Sequence, residues 1–132
     1  MNNIHKTAIV SKNAIVGENV TIGAYSVIGD NVKIANNNII YSSVYIDGHT
    51  DISENNKFFS FCSIGSIPQD LKYRGEKSRL TIGSNNTFRE HCTANLGTEG
   101  DNMETIIGNS SLFMTGVHTV SYTHLTLPTT YT

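Results

Sequence analysis

The side chains of this 132-residue sequence best suited to proton transfer, metal binding or nucleophilic attack are five histidines and two cysteines. His5, His49 and His91 have no mutual spacing that suggests a metal site. Each is expected to be a structural residue at the surface or at a corner, which disfavours a zinc-dependent carbonic anhydrase. His118 stands near the end of the patterned region, and His124 lies beyond it. Cys62 and Cys92 fall in a series of small residues described below. They are expected to be buried packing residues rather than nucleophiles. No metal or organic cofactor is called for. Residues 66–79 are polar and charged and contain Pro68. They read as a loop, and loops fixed to a rigid scaffold are where chemistry is usually placed. On composition alone, a solvated excursion without a role is an equal reading.

The scaffold that would hold these residues is written in a period of six. From Ile4, steps of six reach Val10, Val16, Ile22, Ile28, Ile34, Ile40, Ile46, Ile52, Phe58 and Ile64. All are large and apolar, and all but Phe58 are β-branched. A helix, with 3.6 residues per turn, cannot make one apolar face from a period of six. The fourth residue after each is mostly small or β-branched: Ala8, Ala14, Val20, Ser26, Val32, Asn38, Val44, Thr50, Asn56 and Cys62. Gly17, Gly23, Gly29 and Gly65 directly follow the large residue, and Asn13, Asn19, Asn31, Asn37 and Asn55 sit three after it. Both types tolerate left-handed backbone, so each hexad reads as a short strand and a bend.

Three such strands close a triangular coil, and stacked coils pair in parallel ladders around an apolar column. The fold class is therefore all-β, a parallel β-helix. A β-sandwich with many Gly/Asn turns is the alternative, but it would not hold a six-residue register this long. Ile22, Ile28, Ile34, Ile40, Ile46 and Ile52 should point inward, and Asn31 and Asn37 should lie at corners. Open ends expose strand edges, so residues 1–6 are expected to cap one of them.

Composition bounds the function. Hydrophobic residues make up 38% and charged residues 15%, with 9 basic and 11 acidic side chains and a net charge of −2. No basic stripe favours nucleic acid, and no apolar run approaches the ~20 residues of a spanning helix. No signal peptide is evident at the N-terminus. Two cysteines are too few for a disulfide framework. A cytoplasmic protein without membrane insertion is expected.

The register breaks at residues 66–79 and resumes at Ile82. A second break, residues 97–102, shifts the phase by one. The last recognisable hexads begin at Ile107 and Phe113. Residues 1–119 thus read as the β-helix and residues 120–132 as an unpatterned, Thr-rich tail foreign to the fold. The tail resembles translated adapter sequence.

Several segments carry a family resemblance. They are Ile4-His5-Lys6-Thr7-Ala8-Ile9-Val10, Gly48-His49-Thr50, Ile64-Gly65-Ser66-Ile67-Pro68-Gln69-Asp70-Leu71-Lys72-Tyr73-Arg74-Gly75-Glu76, Thr87-Phe88-Arg89-Glu90, Gly97-Thr98-Glu99-Gly100 and Leu112-Phe113-Met114-Thr115-Gly116-Val117-His118. In this order and spacing the sequence resembles the UDP-N-acetylglucosamine acyltransferases of Gram-negative bacteria, over roughly residues 3–119. The hexads alone fit any hexapeptide acyltransferase; the Pro-Gln-Asp-Leu-Lys-Tyr loop is far more specific.

The resemblance implies a left-handed coil and a homotrimer with active sites between subunits. It implies transfer of a 3-hydroxyacyl group from acyl carrier protein to the 3-hydroxyl of UDP-N-acetylglucosamine, the first step of lipid A biosynthesis. A histidine removes the hydroxyl proton as the oxygen attacks the thioester, a role imidazole suits at neutral pH. By the same resemblance Gln69, Asp70, Lys72, Asn95 and His118 hold substrate. Asn95 stands where some members have histidine and others asparagine. His118 matches the first histidine of a His-x-x-His pair whose second member is the general base. Ser121 occupies that second position, and the expected Ala-His-Asp-Cys is replaced by Val120-Ser121-Tyr122-Thr123. The resemblance therefore implies an inactive copy without catalytic base, later coils or helical C-terminal domain. His124 lies three positions too late to serve. Another hexapeptide acyl- or acetyltransferase and a non-catalytic trimerising scaffold are the competing readings.

Overall fold

The computed structural model describes residues 1–66, 78–96, 104–119, 124–125 and 130–131. The chain winds through short strands, three to a coil. The first coil holds β1 (Asn3–Ile4), β2 (Ile9–Val10) and β3 (Ile15–Val16). The second holds β4 (Thr21–Ile22), β5 (Val27–Ile28) and β6 (Val32–Ile34). The third holds β7 (Ile39–Ile40), β8 (Tyr45–Ile46) and β9 (His49–Ile52). The fourth holds β10 (Lys57–Phe58), β11 (Ser63–Ser66) and β12 (Arg79–Ile82). The fifth holds β13 (Thr87–Phe88), β14 (Thr93–Asn95) and β15 (Glu104–Ile107). Above them lie β16 (Leu112–Phe113), β17 (His118–Thr119), β18 (His124–Leu125) and β19 (Thr130–Tyr131).

Every third strand stacks on the last, giving three parallel sheets: β1-β4-β7-β10-β13-β16-β19, β2-β5-β8-β11-β14-β17 and β3-β6-β9-β12-β15-β18. This is the parallel β-helix that the period of six requires. The six isoleucines from Ile22 to Ile52 are all buried. In the first sheet the inward column changes from Ile22 and Ile40 to Phe58, Phe88 and Phe113. Those rings stack nearly parallel with centroids 4.9 and 4.5 Å apart, close to the ~4.8 Å rise between strands.

Register shows how the interruptions are absorbed. Ile34 faces Ile52, eighteen residues on. Ile52 faces Ile82, thirty residues on, and Ile82 faces Ile107, twenty-five on. The first insertion adds two whole hexads and keeps the phase. The second adds seven residues and shifts it by one, as expected.

Three expectations need correction, on the loop, the glycine corners and the N-terminal cap. The loop taken as residues 66–79 is shorter, since Ser66 belongs to β11 and Arg79 to β12, and Ser78 is buried. In the tail, the described residues make parallel rungs, Ile107↔Leu125 and Phe113↔Tyr131. The eighteen-residue step thus continues past Phe113, because main-chain pairing does not need the Gly and Asn corners by which the repeat was traced.

The glycines after the large residue act mainly by close approach, not by left-handed backbone. A Cβ on Gly23 would stand 2.7 Å from the Tyr41 carbonyl carbon in the next coil. Of that set only Gly65 has a positive φ, +79°. Among the described residues the left-handed positions other than glycine are Asn19, Asn37, Asn55 and Asn85, but also Tyr25, Ser43, Phe61, His91 and Ser110. Coil closure imposes the conformation whatever the side chain. Asn37 is among them; Asn31 also lies in a turn but without a positive φ.

The N-terminal cap is polar only. Asn2 accepts from the Val20 N–H and donates to the Gly17 carbonyl, both at 2.9 Å. Ile4 stays 42% exposed.

Candidate functional site

The outward column of the second sheet runs Ile9, Val27, Tyr45, Ser63, Thr93, His118, each in register with the next. Its first half is largely apolar and its second half polar. The change falls where the coil is interrupted. Gly65 puts an irregularity into β11, so that Ser66 rather than Gly65 pairs with Asn95. A Cβ there would lie 2.0 Å from the Asp47 carbonyl oxygen. The Leu96 N–H donates to the Ser66 carbonyl at 3.1 Å. The two interruptions therefore leave the same corner, after Ser66 and after Leu96, one coil apart. Gly48, with φ +69°, turns the same corner one coil earlier, under Gly65 and Leu96.

Asn95 ends β14 at this corner, and His118 opens the neighbouring strand β17, in register with Thr93, two residues before Asn95. Asn95 is buried and His118 exposed. The His118 ring has a partner that sequence reasoning missed: Thr93 Oγ1 lies 2.5 Å from His118 Nδ1. The signal was hidden in the second insertion, since Thr93 and His118 share a column only if twenty-five residues make one coil. Below them, Ser63 and Ser66 hydroxyls are 2.6 Å apart. On the same face the Tyr45 hydroxyl donates to Asp47 Oδ2 at 2.7 Å, and that bond raises the phenol above its ordinary value.

Gln69, Asp70, Lys72 and Ser121 lie outside the described residues. His5 and His91 are exposed and lie at the opposite corner of the second sheet, His91 stacking on Phe61 at 5.2 Å; His49, also exposed, directly follows Gly48 and pairs in register with Arg79. Cys62 and Cys92 are buried, and their thiols donate to the Arg89 and Met114 carbonyls, each at 3.1 Å. Contact with the Cys92 thiol and burial push the Cys62 thiol up, so it is held protonated and unreactive. Among the described residues no three His, Cys, Asp or Glu gather to hold a metal, and no helix is long and apolar enough to cross a membrane.

Known proteins resemble this chain in sequence and fold. The family model for bacterial transferase hexapeptide (six repeats) matches residues 13–48. The chain is 49% identical over 116 residues to the acyl-[acyl-carrier-protein]–UDP-N-acetylglucosamine O-acyltransferase of Rickettsia canadensis, covering 88% of this chain and 44% of that protein. It is 45% identical over 118 residues to the enzyme of the same name from Thermodesulfovibrio yellowstonii, covering 89% and 46%. The chain is a homologue of the UDP-N-acetylglucosamine O-acyltransferases.

Solved structures of that family superpose on it. LpxA of Acinetobacter baumannii matches with a TM-score of 0.87 at 43% identity, over 90% of this chain and 46% of that one. The UDP-N-acetylglucosamine O-acyltransferase of Moraxella catarrhalis gives 0.86 at 42%, with 90% and 46% covered. The coil is thus the left-handed parallel β-helix of that family. The chain spans less than half the length of these curated relatives.

Proposed function

We propose that this chain is the amino-terminal part of an acyltransferase that moves a 3-hydroxyacyl group from acyl carrier protein to the 3-hydroxyl of UDP-N-acetylglucosamine. The observation that carries the reading is the corner of the second sheet. There the roots of both interruptions lie beside Asn95, with His118 on the neighbouring strand, on a scaffold about half identical to acyltransferases of that name. Gln69, Asp70 and Lys72, on the first interruption, hold substrate with Asn95 and His118. The protein works in the cytoplasm as a cyclic trimer, each site being completed by a neighbour. Residues 120–132 are foreign in sequence to the domain that ends near Thr119, and the rungs at His124–Leu125 and Thr130–Tyr131 extend its coil by main-chain pairing alone.

In this reading the 132-residue chain itself does not turn over. Loss of a general base costs about 10²–10⁴-fold, and the Ser121 hydroxyl is no base at neutral pH. The assay is formation of UDP-3-O-acyl-N-acetylglucosamine from the sugar nucleotide and 3-hydroxyacyl carrier protein. Ser121→His alone should not restore turnover. A family-like continuation from Val120 onward, with its second histidine and further coils, should. Turnover by the unaltered chain would contradict this reading and make His118→Ala the first variant to test. A stable, folded monomer at micromolar concentration in sedimentation would contradict the trimer.

A further inference from the structure

We infer that the aromatic corner between the first and second sheets packs against a second copy of this chain and covers that copy's site corner. The inference rests on the trimer of the acyltransferase reading and supplies its interface. Among the described residues, the large apolar side chains left exposed are not spread evenly. Apart from Met1 and Ile4 at the end of the coil, all but Ile15 stand on the second sheet or on the corner leading into it. Ile9 and Tyr45 lie on the sheet, and Tyr25, Tyr41, Phe61 and Met114 on the corner. That corner is a ridge. The Tyr41 and Phe59 rings stack at 4.7 Å, the Arg89 guanidinium lies 4.2 Å from the Phe59 ring, and His91 stacks on Phe61. Aromatic residues, Met and Arg are the types enriched where proteins meet.

Two of these rings stand where the backbone disfavours them. Tyr25 and Phe61 have φ of +61° and +68°. At the corner between the third and first sheets the same left-handed position is held by Asn19, Asn37, Asn55 and Asn85, a residue type that tolerates it better. Tyr25 is 70% and Phe61 58% exposed, so packing within one copy does not offset the strain. Burial against a partner does. The partner's character follows from two features. Arg89 is paired with Glu90 at 3.2 Å, so the ridge lacks the net positive charge that a nucleic acid or an anionic membrane would select. Its side chains also repeat at the rung spacing of ~4.8 Å, which another coil with a parallel axis matches rung for rung.

Symmetry then decides which surfaces meet. A cyclic ring joins two different patches of each copy. With the coil axes parallel to a threefold and the second sheets turned toward it, the ends of the three inner faces meet in pairs. The ridge of one copy then lies against the next copy's corner between the second and third sheets, at the same height. Phe61 and Ser66 belong to the same coil, so Phe61 comes opposite the root of the first interruption.

The test is sedimentation of the intact 132-residue chain. The parent should be a trimer. Tyr25→Lys combined with Phe61→Lys should lower the mass to about one third with unchanged far-ultraviolet circular dichroism, because both side chains are exposed in a single copy. Ile15→Lys, on the third sheet, should stay trimeric. Cross-linking gives a second measurement. Phe61→Cys combined with Ser66→Cys should form covalent oligomers with a short bismaleimide, and Phe61→Cys combined with Ser53→Cys should not. Should the lysine pair not fold, the cross-link alone decides. A parent trimer that survives the lysine pair overturns the ridge and leaves the trimer standing, as does cross-linking that is absent or equal in the two cysteine pairs. A monomeric parent overturns the trimer and the ridge with it.

Discussion

Two corners of the same coils fill the same buried position in different ways. Between the third and first sheets the series runs Val20, Asn38, Asn56, Asn86, Ser111; between the first and second it runs Ser26, Val44, Cys62, Cys92. Both are buried, and a left-handed residue precedes most positions at either corner. At the asparagine corner each side-chain oxygen accepts the main-chain N–H one coil up. Asn38 accepts from Asn56 at 2.8 Å, Asn56 from Asn86 at 2.9 Å, and Asn86 from Ser111 at 2.9 Å. The amide nitrogens donate to carbonyls, Asn56 to Ser53 and Gly83 at 3.0 and 2.9 Å, and Asn86 to Gly108 at 2.8 Å. At the other corner the Ser26 hydroxyl bonds in a similar way, but from Cys62 upward only weak thiol donors reach the coil above. The amide stack crosses both places where the coil is interrupted. It therefore holds strands in register where chain continuity no longer does. A half-satisfied polar network would weaken the core, but a complete one specifies it.

The sharpest break of that contrast is Asn56→Leu. It strips the partner from the buried Asn86 N–H and from the Gly83 carbonyl, while the Ser53 carbonyl keeps the Asn38 amide. Each orphan costs about 1–3 kcal/mol, so a loss on the order of 4 kcal/mol is expected in urea unfolding. A loss no larger than that of an alanine at Cys62 would show that the two corners are equivalent.

Asn56→Asp asks whether the donor half matters. The acceptor oxygen survives, but at neutral pH a carboxylate faces two carbonyl oxygens in a buried slot. Burial and those carbonyls raise the carboxyl pKa in the folded state. A raised folded pKa means that the stability is fully present below the unfolded value, about 4. It is then lost as pH rises through the folded value. The variant should approach the parent at low pH and fall about 3 kcal/mol behind at pH 7. Stability that instead improves with pH, relative to the parent, would remove the donor role.

These corners also show what a sequence can disclose. The inward columns were legible because no other regular structure repeats in sixes, so Ile22 through Ile52 could be placed without coordinates. The amide stack was not. Asn38 and Asn56 were read only as small residues in the inward series, although their polarity at a buried position was itself the signal. Gly23 was misjudged because two demands, a left-handed φ and close approach of a neighbouring coil, select the same residue. Tyr25 and Phe61 gave no hint of left-handed backbone, since closure of the coil overrides their preference. At the site, His118 and Asn95 came from resemblance, and Thr93 could be found only once register was known. Gln69, Asp70 and Lys72 rest on resemblance alone.

Cys62→Ala should cost less than either change at the asparagine corner, about 1–2 kcal/mol by denaturant unfolding. It gives up buried sulfur contacts and a weak S–H donor to the Arg89 and Phe88 carbonyls, each of which keeps a main-chain N–H partner. A loss as large as that of Asn56→Leu would mean that the thiol stack, too, holds register.

Cys62→Ser separates volume from hydrogen bonding in that small effect. The hydroxyl keeps a donor, and a stronger one, toward the Arg89 carbonyl. It thereby repeats two coils up what Ser26 already does at this corner, where the hydroxyl donates to the Tyr41 carbonyl at 2.8 Å and accepts the Val44 N–H at 3.1 Å. Against that gain of about 1 kcal/mol stands the lost burial of a polarizable sulfur that packs as a small hydrophobe. The two nearly cancel, and the unfolding midpoint should move by less than the equivalent of about 1 kcal/mol. If serine is as damaging as alanine, the slot is filled for volume and its polar contacts are incidental. If serine stabilises clearly, the cysteine corner is an under-bonded version of the asparagine corner, and the contrast between them is one of degree.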